Sequence, residues 1–378
     1  MRQNVPREDR VNRAPLTLLP PVQKIPCGDH RACCNQLKCY ENGDSLPIRK
    51  ITEVVQITRP DVLLLNEFDY DEDGAAAALF QNNYLLVSQN GHEPIEYAYS
   101  YFAPVNTGVD TGLDLDGNGQ TGTPNDAYGF GKHPGQYGML VLSKYEIDTD
   151  NVRTFQNFLW KDMPDAKWPM IAATAQPYYS EEVQQIFRLS SKSHWDIPVK
   201  LSDDKVVHFL VCHPTPPVFD GNEDRNGCRN HDEIRLFADY VSGGADYLYD
   251  DNGVKGGLAE GEHFVITGDL NADPFDGDSL NSAVRQLTES PAVNDIAPVS
   301  TGGKHYADEA GGQNKFHTGD PAADTSAWRT GHMRVDYCLP SKTLNVTASG
   351  VFWPLPGQQG ADAVTATDHR MVWIDVEK

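Results

Sequence analysis

Residues 265–274 read VITGDLNADP, and the fold turns on them. The apolar run Phe264–Ile266 predicts a short buried strand that stops at Gly268. Asp269, Asn271 and Asp273 follow at alternate positions. On an extended backbone alternate side chains share a face, so Asp269 and Asn271 are expected to aim at one spot. A hard carboxylate oxygen beside an amide donor suits a phosphate held against Mg²⁺ or Ca²⁺. An Asp/Asn-rich turn closing a strand has the same composition, so other segments must decide.

Four further segments do. RPDVLLLNEFD (59–69) is an apolar strand, Val62 to Leu65, ending in a polar residue and then Glu67. HFLVCHPTPP (208–217) delivers His213 from the apolar Phe209–Val211 run to a loop closed by prolines. HMRVDYCLPS (332–341) sets Asp336 inside a strand-like run, and ATDHRMVWIDV (366–376) puts Asp368 and His369 immediately before another. Carboxylates and histidines that recur at strand ends can converge at one edge of a sheet, where active sites form.

In that order the segments resemble the endonuclease/exonuclease/phosphatase superfamily, from about residue 48 to 378. GDLNAD, the RVDY strand and the TDH motif before the terminal strand carry the resemblance jointly. It implies an α+β fold, a four-layer α/β/β/α sandwich of two mainly antiparallel sheets flanked by helices. It also implies a divalent-metal-dependent phosphoesterase using Mg²⁺ or Mn²⁺. Glu67 would hold the cation, assisted by Asp368 and by Asp269, which otherwise activates the nucleophile. His369 would orient or deprotonate water, with Asp336 fixing its tautomer. Asn271 would donate to a non-bridging oxygen, and His213 would hydrogen-bond the phosphate. The family's usual first strand ends in an active-site Asn. Neither Asn4 nor Asn35 follows a strand-like run, so that residue stays unassigned.

Composition bears on the substrate. The 378 residues carry a net charge of −23, with 32 glycines, 25 prolines and 39% hydrophobic residues, as in a loop-rich globular protein. Polyanionic nucleic acid is normally met by a basic surface, so the charge disfavours a nuclease and favours small or lipid phosphoesters. A nonspecific extracellular nuclease is the alternative activity, and a binding protein that has lost turnover is the alternative of another class. No stretch approaches the roughly 18 apolar residues of a membrane span, and no signal peptide is visible in the chain as given.

Residues 1–47 show no strand or amphipathic helix and read as an irregular, Cys-containing segment ahead of a domain over 48–378. Cys27, Cys33, Cys34 and Cys39 lie there, while Cys212, Cys228 and Cys338 are scattered. A disulfide-stapled loop, with an extracellular or periplasmic location, is favoured over ordinary thiols. Asn345-Val346-Thr347 is a glycosylation sequon in a secreted eukaryotic context. IRKITEVVQIT (48–58) has helical spacing, as does HDEIRLFADYV (231–241). Strand pattern returns over 135–147, and 214–232 and 300–331 read as polar loops.

An insertion over about 70–135 contains DLDGNGQTGTPND (114–126). Asp114, Asp116 and Asn118 occupy positions 1, 3 and 5 of a calcium-loop pattern, with Gly119 at the turn. Position 12 holds Asn125 rather than Glu, and Asp126 follows. A structural Ca²⁺ and a solvated turn are both open, the former favoured. In DRNGCRNHDEIR, the residues Arg225, Asn226, Arg229 and Asn230 form a basic/amide cluster. Phosphate binding and surface pairing at a helix start describe it equally well.

Overall fold

The VLLLN run is buried at every position, as a strand covered on both faces must be. It belongs to a computed structural model that describes residues 16–19, 34–243 and 245–377. In chain order the elements are β1 (Leu16–Leu19), α1 (Cys34–Glu41), α2 (Leu46–Thr58), β2 (Val62–Asn66), α3 (Ala75–Phe80), β3 (Tyr99–Tyr101) and β4 (Met139–Ser143). Next come β5 (Glu146–Ile147), β6 (Arg153–Thr154), β7 (Met170–Ile171), β8 (Gln176–Pro177), α4 (Glu181–Ile186), β9 (His194–Ser202) and β10 (Lys205–Cys212). They are followed by α5 (Arg225–Tyr240), β11 (Phe264–Asp269), α6 (Arg285–Thr288), α7 (Thr301–Ala310), β12 (Asp336–Pro340), β13 (Val346–Phe352) and β14 (Met371–Val376).

One sheet has the order β13-β14-β1-β2-β4-β3, the other β12-β11-β10-β9-β5, with β6 also on β9. Most pairs are antiparallel; β1–β2 and β10–β11 are parallel. Alternation along the strands divides their side chains between three cores. Val62, Leu64 and Val141 meet Ile197, Phe209, Val211 and Val265 between the sheets. Leu63, Leu65 and Leu140 turn outward against Ile48, Ile51 and Val55 of α2. Leu210, Ile266 and Leu339 face Ile234 and Phe237 of α5. This is the expected four-layer sandwich.

Several local expectations are corrected. The strand from Phe264 does not stop at Gly268 but runs to Asp269. Glycine is needed there because a Cβ would lie 1.9 Å from the Cys212 carbonyl oxygen of the neighbouring strand. Residues 1–47 are not devoid of elements, since β1 sits between β14 and β2 and α1 precedes α2. The insertion over 70–135 carries elements of its own. It supplies α3, a π-helical turn over Gln81–Leu85 and the edge strand β3, and it buries Phe80, Tyr84 and Leu85 in the α2-side core. Within the supposed loop 300–331 lies α7, capped by Ser300, whose Oγ accepts from Gly303 N. Its glycines hide it from propensity, yet a Cβ at Gly302 would collide with the Trp353 carbonyl at 2.1 Å.

Cys212, Cys228 and Cys338 are free thiols, and Cys39 is disulfide-bonded. Cys27 and Cys33, like Asn4, lie outside the described residues, as do the side chains of Cys34 and Asn35. Among the described residues no helix is long and apolar enough to cross a membrane.

Candidate active site

Strand direction brings the chemistry to one edge. The parallel β10 and β11 end together, so His213 and Asp269 emerge side by side, and antiparallel β12 begins opposite at Asp336, which pairs with Asp269. In the other sheet β2 ends where β14 begins, since β1 is parallel to one and antiparallel to the other. That places Glu67 and His369 at the corresponding edge. Glu67, His213, Asp269, Asn271, Asp368 and His369 line one cavity of about 470 Å³. Asp336 lies directly behind His369.

Nδ1 of His369 donates to Oδ2 of Asp336 across 2.8 Å, with both side chains buried. Oδ1 of Asp336 has no hydrogen-bond partner among the described residues. Trp328 stands edge-on to the His369 ring at 5.3 Å. Burial opposes a charge on His369, but Asp336, Asp269 and Asp368 outweigh it and push the pKa up to about 9. His213 behaves oppositely. Burial, then the charges of Lys192 and His369, hold its pKa well below the usual histidine value, so the ring is neutral. Its Nε2 lies 3.5 Å from Oδ2 of Asp269.

Asp269 and Asn271 reach one cavity by a route other than extended alternation. Asn271 has φ 52°, a left-handed turn, and its backbone N–H donates to Oδ1 of Asp269 at 2.8 Å. Its Nδ2 donates to the Pro214 carbonyl at 3.1 Å, joining this loop to that of His213. Glu67 is also left-handed, at φ 54°. Non-glycine residues held in this region cost free energy and cluster at functional sites.

The basic/amide cluster is corrected. Arg225, Asn226, Arg229 and Asn230 are not in a loop but form the first turns of α5, and none lines the cavity. Arg225 pairs with Glu223 and donates to the Phe219 carbonyl, while Asn226 donates to that of Val218. Buried Arg229 donates to the carbonyls of Leu189, Tyr128 and Arg188. These donors are spent on the protein, which removes the phosphate-binding expectation. Asn230 joins both active-site loops, donating to Thr215 O at 2.8 Å and Leu270 O at 2.9 Å. One turn on, Glu233 accepts from Thr215 N at 2.6 Å and from Ser191 N at 2.6 Å. Sequence reasoning missed this clamp, because a buried polar face on a helix reads as a solvated one.

Ligand atoms of Asp269, Asp336 and His369 lie within 4.8 Å of one another, and Glu67 and Asp368 add carboxylates to the same cavity. Hard oxygen donors and an unpartnered Asp336 Oδ1 fit a divalent cation. A second group, Asp114, Asp116 and Asp126, also converges within 4.8 Å. Here Asp126, not Asn118, is the third carboxylate. Asn118 instead caps Gln120 N at 2.8 Å, and Asn125 donates to Asp116.

The remaining cavity lining combines apolar and acidic residues. Pro216, Pro217, Val218, Phe219, Trp328 and Met333 share it with Asp273, Asp276 and Asp278. Phe219 is 86% exposed.

The family model described as "Endonuclease/Exonuclease/phosphatase family" matches residues 34–369. No curated protein matches the sequence. Among solved structures, the chain is similar to an endonuclease/exonuclease/phosphatase from Beutenbergia cavernae, at 18% identity over 97% of this chain and 72% of that one, TM-score 0.49. It is also similar to a family protein from Leptotrichia buccalis, at 13% identity over 96% and 100%, TM-score 0.49. A third is the human Nocturnin catalytic domain, at 13% over 96% and 95%, TM-score 0.45.

Proposed function

The chain belongs to the endonuclease/exonuclease/phosphatase family, and from that premise we propose that it is a divalent-metal-dependent hydrolase of small or lipid-like phosphoesters. The observation that carries this reading is the lining of the cavity: catalytic-type residues together with apolar and acidic ones, and, among the described residues, no lysine or arginine. An acidic lining repels a polyanion, whereas a single phosphoester with an apolar substituent suits Phe219 and Trp328.

Glu67, Asp269 and Asp368 would hold Mg²⁺ or Mn²⁺. When bound, the cation polarises a phosphoryl oxygen and offsets the charge that builds there. His369 orients the attacking water and takes its proton, and Asp336 fixes the tautomer through Nδ1. The high pKa of His369 belongs to a ring beside Asp336, Asp269 and Asp368; neutralising their charge lowers it towards the range of a working base. Neutral His213 donates from Nε2 to a non-bridging oxygen, and the amide of Asn271 supplies a second donor.

A substrate panel tests the reading. p-Nitrophenyl phosphate, bis-p-nitrophenyl phosphate, a lysophospholipid-type diester and plasmid DNA are each incubated with Mg²⁺, Mn²⁺ or Ca²⁺. Turnover is expected on the small or lipid-like esters, exceeding that on DNA. Efficient DNA nicking alone would establish the nuclease alternative. No turnover on any ester would favour a binding protein of this fold.

A further inference from the structure

A second cavity, of about 250 Å³, shares no lining residue with the first. Tyr306 and Glu309 of α7, His332 ahead of β12, Trp353 just past β13 and Arg370 just ahead of β14 all line it. Small side chains such as Ala361 and Val364 complete the lining.

Two of these polar side chains are buried and incompletely paired. Arg370 is 7% exposed and His332 is 5% exposed. Nη1 of Arg370 donates to the carbonyls of Thr367 at 2.7 Å and His369 at 2.8 Å. The opposite edge of the guanidinium, Nε and Nη2, makes no hydrogen bond or ion pair among the described residues. Nδ1 of His332 is likewise buried without a partner. Glu309 is the cavity's one carboxylate among the described residues, and it is turned to His305 of the same helix, 3.8 Å away at the surface. Buried polar groups are nearly always paired, so two orphans at one cavity point to a partner that enters it.

The surroundings define that partner. Cζ of Arg370 lies 4.5 Å from the centroid of the Trp353 ring, which fixes the guanidinium plane. Tyr306 lies nearly parallel to the same ring at 5.7 Å, and the His332 ring is 5.3 Å from it. A guanidinium stays protonated, and its free edge matches the two oxygens of one carboxylate. A dry cavity of roughly 150 Å³ already admits benzene, so this one has room for a single ring with a carboxylate on it.

We propose that this second cavity is a binding site for a small aromatic carboxylate, held bidentately on the Nε–Nη2 edge of Arg370 with His332 beside it and its ring packed among Tyr306, Val364 and Ala361. The proposal is independent of which ester is hydrolysed at the first cavity.

The test is calorimetry on the metal-free full chain with benzoate, its neutral counterpart benzamide, and inorganic phosphate. Benzoate should bind, with benzamide and phosphate each at least tenfold weaker. Arg370→Met should weaken benzoate at least tenfold, as loss of a charge-assisted bidentate contact requires. Ala361→Leu narrows the cavity while leaving the hydrogen bonds of Arg370 in place, and should weaken benzoate to a similar degree at unchanged Tm. No benzoate binding to wild type would leave a cavity filled by water alone and overturn the proposal. Benzamide binding as tightly as benzoate would show that the guanidinium is not read, and phosphate binding as tightly would show that the aromatic lining is not. Either result overturns the proposal without any variant, so it stays testable if Arg370→Met fails to fold. Benzoate affinity unchanged in Ala361→Leu would put the ligand elsewhere and overturn it as well.

Discussion

His369 and Asp336 act on each other at 2.8 Å in a buried setting, so each defines what the other can do. His369→Ala removes the base and should cost about 10²–10⁴-fold in turnover. Asp336→Asn keeps the ring but loses its orientation, and should also be impaired. The double variant should be little worse than His369→Ala, since residues acting as one unit are not additive. Steady-state kinetics on the three proteins check this, and additive losses would separate the pair. Asp324 makes a prediction about stability. Burial, then Asp273, Asp276 and Asp320, push its pKa up to about 8. A carboxyl with a raised folded pKa contributes stability that is fully present below about pH 4 and is lost as pH rises through about 8. In metal-free protein Asp324→Asn should therefore raise Tm relative to wild type at pH 8, with the gap closing towards pH 4. A gap independent of pH would contradict the assignment. Most of the proposed catalytic set was legible as residues at strand ends.

At the scale of elements, the strands delivering Glu67, His213 and Asp269 were legible because each is an apolar run that stops at a polar residue. α2 was legible from its periodicity. The four-residue β1 and the glycine-led α7 were not, since their identity comes from the elements they pack against rather than from local preference. Helix α5 was half legible: its apolar stripe gave the C-terminal turns, while the buried Asn230 and Glu233 looked like surface. Removing that clamp tests its role. Asn230→Leu leaves the Thr215 and Leu270 carbonyls without their donor, and should lower both Tm and kcat. A fall in Tm with unchanged kcat would limit Asn230 to stability. The Asp114–Asp116–Asp126 group makes a separate prediction. If it binds Ca²⁺, excess chelator should lower the Tm of metal-loaded protein, and Asp116→Ala should abolish that sensitivity. A melting curve indifferent to chelator would leave a solvated turn.

The whole molecule joins a strongly negative surface to a cavity whose floor gathers carboxylates from both sheets. The order of motifs along the chain made the sandwich legible, because each motif can reach the others only if two sheets end at a common edge. The proposed substrate preference rests in the sequence on charge alone, and the apolar lining that supports it comes from loops at 216–219 and 328–333 with no regular pattern. The central claim, that this edge hydrolyses phosphoesters with the help of a cation held by Glu67, is tested most directly by bis-p-nitrophenyl phosphate hydrolysis in wild type and Glu67→Ala across a Mg²⁺ titration. Wild type should be silent in excess chelator and reach a plateau with Mg²⁺. Glu67→Ala, at unchanged Tm, should need far more Mg²⁺ or lose turnover outright. Equal turnover with and without chelator, or a Glu67→Ala titration matching wild type, would contradict the account.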